Sequence, residues 1–250
     1  MTAENLVSPD HIRSLFAQAM SQMYRAEVPL YGDLVELVAA INARVLAQDP
    51  ALAQSLARTD DLERIDLERH GAIRVGTPAE LAMLRRVFAV MGMFPVGYYD
   101  LAVAGVPVHS TAFRPVDAAS LSRNPFRVFC SLLRLELIED AALREQAADI
   151  LAQRNIFTDA AVELVAKAEA QGGLDEADAQ RFVAQALETF RWHSDATVSL
   201  ATYQQLHDAH RLIADVVSFR GPHINHLTPR TLDIDAAQDG MIAAGIDAKA

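Results

Sequence analysis

The sequence predicts an α+β protein: a β-α-β-β-β unit with helices before and after it, followed by the start of a second unit of the same kind. Helical spacing of apolar residues gives way to strand-like alternation near residue 63, and helical spacing returns near residue 139. The chain therefore divides into a helical N-terminal region (1–62), a first unit (63–138), a helical insertion (139–217) and an incomplete second unit (218–250).

Two segments of the chain match in register. His70 begins the first and His226 the second, and each is followed four residues later by an arginine, Arg74 or Arg230. Seven residues after each histidine stands a residue type that caps helices. Because imidazole is the commonest side-chain metal ligand, the matched histidines predict a metal held between two related halves.

Composition excludes several classes of protein. The 250-residue chain is 51% hydrophobic with a formal net charge of −11, so we expect a folded protein that binds neither nucleic acid nor an anionic membrane. Cys130 is the only cysteine, which excludes a disulfide framework and predicts an inert core thiol. With no signal peptide and no run of about 20 apolar residues, we expect a cytoplasmic location, and the oligomeric state stays open.

The helices of the N-terminal region are predicted from their caps and apolar stripes. Ser8 followed by Pro9 is typical of a helix start, and this first helix is expected to extend to Tyr24. A second helix is expected over Asp33–Ala47, and a short third one after Pro50.

The first unit begins with a strand and a capped helix. The stretch from Thr77 to Glu80 is a capping box, and the helix that it opens should end at Gly92. The four strands are expected over Ile65–Val75, Tyr98–Ala104, Val106–Arg114 and Phe126–Ile138.

The rest of the chain is predicted to be mostly helical. Helices are expected from Ala141, from Thr158 to Gly172, from Asp175 or Asp178, and over Leu200–Val217. A strand over Phe219–Pro229 and a helix-like stretch over Asp233–Ala244 would begin the second unit.

His70 and Arg74 are the first candidate pair. On a regular strand their side chains point to the same face, with Cα atoms about 13 Å apart. A metal ligand and a guanidinium at that separation suit an extended dianion, one end at the metal and the other at the arginine. The alternatives are a histidine with an ordinary structural role and an arginine in a surface ion pair.

His223 and His226 lie three residues apart, so a regular strand would point them to opposite sides. We assign the inner position to His226, because it matches His70, and an outer position to His223. Arg230 matches Arg74 but follows Pro229, which leaves its role open.

The other histidines give weaker signals. His207 and His210 have a spacing that allows metal binding, but without the glutamate of a metalloprotease motif a polar helix face is the simpler interpretation. His193 is expected to cap a helix end, and a place for His109 near the site is left open.

Long motifs in this chain resemble the 2-oxoadipate dioxygenase/decarboxylase family of the vicinal oxygen chelate superfamily. The superfamily repeats a β-α-β-β-β unit with a histidine on the first strand of each copy. The resemblance extends from about residue 5 to the end, and the stretches that support it are Glu68–Thr77, Met91–Leu101, His109–Pro115, Asn124–Phe129 and His223–Pro229.

The resemblance implies an iron(II) enzyme of lysine catabolism that converts 2-oxoadipate and O₂ to 2-hydroxyglutarate and CO₂. It implies that His70 and His226 bind iron and contact substrate, and that Arg74 binds substrate. Two histidines and one carboxylate leave open positions on iron(II) for such chemistry.

The family's third ligand is a glutamate in a part of the second unit that this sequence does not contain. We therefore expect a C-terminally truncated member, with Asp233 and Asp235 better explained as helix-capping acids than as metal ligands. The alternatives are an inactive metal-binding fragment and another metalloenzyme of the superfamily, an isomerase or lyase.

Overall fold

The computed structural model describes residues 5–58, 62, 65 and 69–246. The N-terminal helices are α1 (Pro9–Glu27), α2 (Pro29–Gln48) and α3 (Pro50–Arg58). Each begins at a proline, whose fixed φ suits the first helical position, and the Ser8 hydroxyl accepts a hydrogen bond from the His11 amide at 3.2 Å. The predicted start of α2 at Asp33 was four residues late, because Pro29 already occupies its first turn.

The predicted β-α-β-β-β unit is confirmed. It comprises β1 (Arg69–Val75), α4 (Pro78–Val90), β2 (Phe94–Asp100), β3 (Val108–Arg114) and β4 (Arg127–Leu133). The Thr77–Glu80 capping box that opens α4 is also present. A short helix between β3 and β4, α5 (Ala118–Arg123), was not predicted.

Several strand limits were wrong. The strand expected over Tyr98–Ala104 ends at Asp100, and a 3₁₀ turn follows. The Asp100 carboxylate accepts a hydrogen bond of 2.9 Å from the Ala102 amide in that turn. The strand expected over Phe126–Ile138 ends at Leu133 and is followed by another 3₁₀ turn. β1 begins at Arg69 instead of Ile65, which lies in a turn; residues 66–68 are outside the described residues.

The insertion consists of α6 (Ala141–Ala152), α7 (Asp159–Gln171), α8 (Glu176–Leu187), α9 (Leu200–Ala209) and α10 (Arg211–Val217). The single helix expected over Leu200–Val217 is two, because His210 has an extended backbone (φ −173°) and its Nδ1 accepts a hydrogen bond from the Leu212 amide. The second unit contributes β5 (Ile224–Pro229), shorter than the predicted strand over Phe219–Pro229, and α11 (Ile234–Ala243).

The five strands form one sheet in the order β2-β3-β4-β1-β5. β1 pairs in parallel with β4 and antiparallel with β5, and the other neighbours are antiparallel. The first unit is thus joined directly to the start of the second, and β1 and β5 bring residues far apart in the chain side by side.

One face of the sheet packs on helices. Residues 71, 73 and 75 of β1 are buried, whereas residues 70, 72 and 74 are partly exposed. The main core combines this buried face with α1, α4, α7 and α8, so it crosses the predicted regional limits, and the fourfold division stays a prediction. Cys130 lies in this core, and its burial raises the pKa of the thiol well above its ordinary value.

A buried ion pair anchors the end of β1. Arg154, after α6, donates two hydrogen bonds of 2.9 Å to the Glu80 carboxylate and one of 2.6 Å to the Val216 carbonyl. Glu80 also accepts a hydrogen bond from the Gly76 amide. The contacts fix α10 beside the C-terminal end of β1. No helix among the described residues is long and apolar enough to cross a bilayer.

Candidate active site

The partly exposed face of the sheet arranges side chains in three cross-strand levels. At the first, His70 of β1 stands beside Arg127 of β4; at the second, Ala72 stands between His226 of β5 and Phe129 of β4. The third level is the row Arg74, Ser131, Ser110 and Tyr99, one residue from each of β1, β4, β3 and β2. Directly paired residues share a face of the sheet, so all these side chains point to the same side.

His70 and His226 are diagonal neighbours on this face, a relation that places Cα atoms about 7–8 Å apart. The pKa of the His226 imidazole is lowered, first by its partial desolvation over the sheet and then by the charges of Arg74 and His70. A lowered pKa favours the neutral ring at neutral pH, which is the form that binds metals.

Arg127 approaches His70. Its Nη2 lies 3.0 Å from His70 Nδ1, and its guanidinium lies 5.2 Å from the centre of the Phe129 ring. Among the residues that the structure describes, Arg127 Nε is buried without a hydrogen-bond partner. Because a guanidinium only donates hydrogen bonds, Arg127 uses the lone pair of a His70 ring nitrogen as its acceptor. A metal bound to that nitrogen would need the same lone pair.

Arg74 lies at the opposite end of the face. Burial is the main reason that the pKa of its guanidinium is lowered, and the nearby charge of Asp215 acts in the opposite direction. Asp215 Oδ2 is 3.9 Å from Arg74 Nη1, which is too far for a hydrogen bond. Within the part of the chain that the structure describes, the donors of Arg74 are thus available for an anion.

A cavity of about 400 Å³ covers the second and third levels. Its lining combines Arg74, His226 and the hydroxyls of Ser110 and Ser131 with apolar side chains such as Phe129. His70 is not among the lining residues and lies just beyond them on β1. The face therefore presents His70 and Arg127 at one end, His226 beside the apolar Ala72 and Phe129 in the middle, and Arg74 with the serine hydroxyls at the other end.

His223 takes a different position. It precedes β5, its ring lies 4.5 Å from that of Trp192 with T-shaped geometry, and it lines a second cavity beside Tyr24 and Glu27. The pKa of His223 is lowered by burial and by the charge of Arg74. His223 therefore packs in a neighbouring aromatic cluster, whereas His226 occupies the position opposite Ala72.

The remaining candidate residues are mostly structural. His109 is on β3 opposite Leu132, which places it on the helix-packed face, away from the candidate site. His193 lies 3.3 Å from the Glu188 carbonyl, and His210 caps α10. His207 contacts the ring of Tyr203.

The C-terminal candidates also have structural contacts. The Arg230 carbonyl accepts a hydrogen bond of 2.9 Å from Asn42. Asp233 caps α11 through the Ala236 amide, as its position after His226 predicts, and Asp235 lies in the first turn of that helix.

Sequence reasoning missed Arg127, Ser110, Ser131 and Asp215. Strand alternation predicts that Arg127 and Ser131 lie on the same face of β4 as Phe129. The local sequence does not show, however, that this is the face that Arg74 shares. Asp215 reaches Arg74 only because α10 packs there, which is a tertiary effect with no local signal.

The fold and this face define an α+β protein with a β-α-β-β-β unit whose sheet is extended by one strand of the following segment. A solved structure of a protein assigned to the glyoxalase superfamily, from Ralstonia eutropha JMP134, shares the fold with a TM-score of 0.68 at 19% identity, over 98% of this chain and 70% of that one. A family model described as 2-oxoadipate dioxygenase/decarboxylase matches residues 16–250. The chain belongs to that family.

Relatives named 2-oxoadipate dioxygenase/decarboxylase come from several bacteria. The Pseudomonas putida protein is 66% identical over 250 residues, which are 100% of this chain and 54% of the relative. The Escherichia coli K12 protein is 62% identical over 98% of this chain and 55% of the relative. This chain thus spans about half the length of these relatives.

Solved structures agree closely with this fold. The hydroxyglutarate synthase of Pseudomonas putida in complex with 2-oxoadipate superposes with a TM-score of 0.96 at 66% identity, over 97% of this chain and 54% of that one. A Shigella flexneri protein of known structure superposes with a TM-score of 0.96 at 62% identity, over 97% of this chain and 58% of that one.

Proposed function

We propose that this chain supplies metal and substrate ligands of a non-haem iron(II) enzyme that converts 2-oxoadipate and O₂ to 2-hydroxyglutarate and CO₂ in lysine catabolism. The observation that carries the proposal is the common face of His70, His226 and Arg74, in a chain whose relatives are named for this substrate. The substrate class is a 2-oxo dicarboxylic acid.

The residues of this face fit a metal in part. His70 and His226 offer nitrogen donors that suit iron(II), and the lowered pKa of His226 favours its metal-binding form. Within residues 5–58, 62, 65 and 69–246, no group of three or more His, Cys, Asp or Glu side chains comes together. The described part of the chain thus supplies two ligands, and a third would come from elsewhere.

Iron(II) bound by two histidines and a carboxylate would supply open coordination positions for oxygen chemistry. The chain's own contribution is to bind and orient the substrate. The 2-oxo end would lie near His70 and His226, the methylene chain over Ala72 and Phe129, and the distal carboxylate at the Arg74 guanidinium.

Arg127 would have to change partner when the metal binds. In its neutral form His70 has one nitrogen lone pair, and Arg127 lies within hydrogen-bond distance of both ring nitrogens. Once a metal takes that lone pair, the guanidinium would retain its stacking contact with Phe129.

The test is calorimetric titration of the chain with 2-oxoadipate under anaerobic conditions, with and without iron(II). We expect binding that needs iron and that is lost in His226→Ala but retained in His207→Ala, a control on the exposed face of α9. When O₂ is added, little 2-hydroxyglutarate is expected from this chain alone, because its described residues bring together only two of the three metal ligands. Binding that is equally tight without iron, or the absence of binding, contradicts the proposal.

Arg74→Ala separates the two ends of the site. Because its guanidinium would meet a carboxylate and not the metal, we expect the dissociation constant for 2-oxoadipate to rise at least tenfold, from a charge-assisted hydrogen bond of roughly 1.5–3 kcal/mol. Iron affinity should be unchanged. An Arg74→Ala variant that binds 2-oxoadipate normally would show that Arg74 is only a surface cation.

A further inference from the structure

The hydroxyl pair of Ser110 and Ser131 has a donor to spare. The two side-chain oxygens are 2.5 Å apart, and the residues are only 5% and 9% exposed. Two hydroxyls have two donor protons, and their mutual hydrogen bond uses one. Among the described residues, no other side-chain hydrogen bond is made by either hydroxyl.

The spare donor lies beside Arg74. Ser131 is directly opposite Arg74 across β4 and β1, and Ser110 is directly opposite Ser131 across β3 and β4. All three line the same cavity. Neighbouring strands are about 4.8 Å apart, so the Ser131 hydroxyl faces the cavity from the strand next to Arg74, where Arg74 would hold a carboxylate.

We infer that Ser131 is a specificity-determining residue that donates a hydrogen bond to the distal carboxylate of the substrate, and that Ser110 is a positioning residue. The Ser110 hydroxyl donates to Ser131 Oγ, which directs the proton of Ser131 toward the carboxylate. The inference rests on the proposed function and adds to it the residues that distinguish a 2-oxo dicarboxylic acid from a 2-oxo monocarboxylic acid.

The apolar surroundings make this donor selective. The cavity beside the pair is lined by Leu101, Val106 and Val108, which offer no hydrogen bonds to a charged group. A carboxylate that leaves water there needs every available donor, whereas a methyl group at the same place would leave the spare hydroxyl proton unsatisfied.

The experiment compares two ligands that differ only at the distal end. Binding of 2-oxoadipate and of 2-oxohexanoate, which has a methyl group in place of the distal carboxylate, is measured with iron under anaerobic conditions. The proteins are the unaltered chain, Ser131→Ala, Ser110→Ala and the control Thr111→Val. Thr111 follows Ser110 on β3 but lies opposite Cys130, on the other face.

For Ser131→Ala we expect the preference for 2-oxoadipate to fall by about tenfold or more, with 2-oxohexanoate binding no weaker than in the unaltered chain. In Ser110→Ala the preference for 2-oxoadipate should fall less, because Ser131 retains its own proton. In Thr111→Val the preference should not change. Far-UV circular dichroism and urea unfolding identify a variant that has not folded. If one serine variant fails to fold, the other serine variant and Ser131→Thr, which restores the hydroxyl, are used to test whether the hydroxyl determines the preference for 2-oxoadipate.

The outcomes separate the inference from the function on which it rests. If the unaltered chain prefers 2-oxoadipate and Ser131→Ala keeps that preference while losing only stability, the pair is a structural cross-strand bond, and the inference is overturned alone. A larger loss in Ser110→Ala than in Ser131→Ala also overturns it. If the unaltered chain shows no preference, the proposed function and the inference both fall.

Discussion

The charge next to Arg74 sets how strongly it attracts an anion. Asp215 is the acid that the structure places near this guanidinium, at 3.9 Å and with both side chains about one-third exposed. At that distance Asp215 does not orient Arg74 through a hydrogen bond, but its negative charge opposes the approach of a second carboxylate.

Asp215→Asn should therefore bind 2-oxoadipate more tightly. Partly exposed ion pairs are worth about 0.2–1 kcal/mol, so we expect the dissociation constant to fall by up to about fivefold. Calorimetry at low and high salt measures the change, which should shrink as salt rises. Weaker binding by the variant would mean that Asp215 holds Arg74 in place.

Local sequence rules predicted only some of the residue positions. His70 and Arg74 share a face because strand side chains alternate, and that follows from spacing alone. The choice of His226 over His223 needed the repeat, because strand alternation puts the two on opposite sides without showing which side is the inner one. Ser131 and Asp215 join Arg74 through strand pairing and helix packing, which local patterns do not specify.

At the scale of elements, the buried pair of Glu80 and Arg154 connects α4 to the insertion. Their side chains are 7% and 5% exposed, and Arg154 also holds the Val216 carbonyl next to Asp215. Removal of one partner leaves the other charge buried, which costs about 3–5 kcal/mol.

We expect Arg154→Met to lower the free energy of unfolding by about that amount in urea titrations. Arg86→Met is the matched control, because Arg86 makes a similar two-bond pair with Glu169 at the surface and should cost under about 1 kcal/mol. Equal losses in the two variants would show that Arg154 does not anchor the insertion.

The order of the strands followed from the sequence, whereas α5 was missed, one predicted helix proved to be two, and element limits were often wrong. Caps such as Thr77 and Asp233 are local hydrogen bonds and were predicted where the structure has them. Strand ends such as Leu133 are set by where the partner strand stops pairing, which is a long-range property. His210 broke a predicted helix because its ring caps the next one.

At the scale of the whole molecule, the candidate site depends on contacts between distant parts of the chain. His70 is in the first unit and His226 in the second, and they become diagonal neighbours because β1 pairs with β5. The core that supports this face draws on α1, α4, α7 and α8. A site built this way requires the folded chain and not a single motif.

The most direct test of the account is equilibrium dialysis of iron(II) under anaerobic conditions against the unaltered chain, His70→Ala, His226→Ala and His223→Ala. Removing a residue that hydrogen-bonds to a metal ligand typically lowers metal affinity by about 10–100-fold. Removing a ligand itself should therefore weaken iron binding by roughly tenfold or more. We expect that loss in His70→Ala and in His226→Ala, with His223→Ala close to the unaltered chain. Equal binding by all four proteins, or a loss confined to His223→Ala, would contradict the central claim that His70 and His226 together hold the metal.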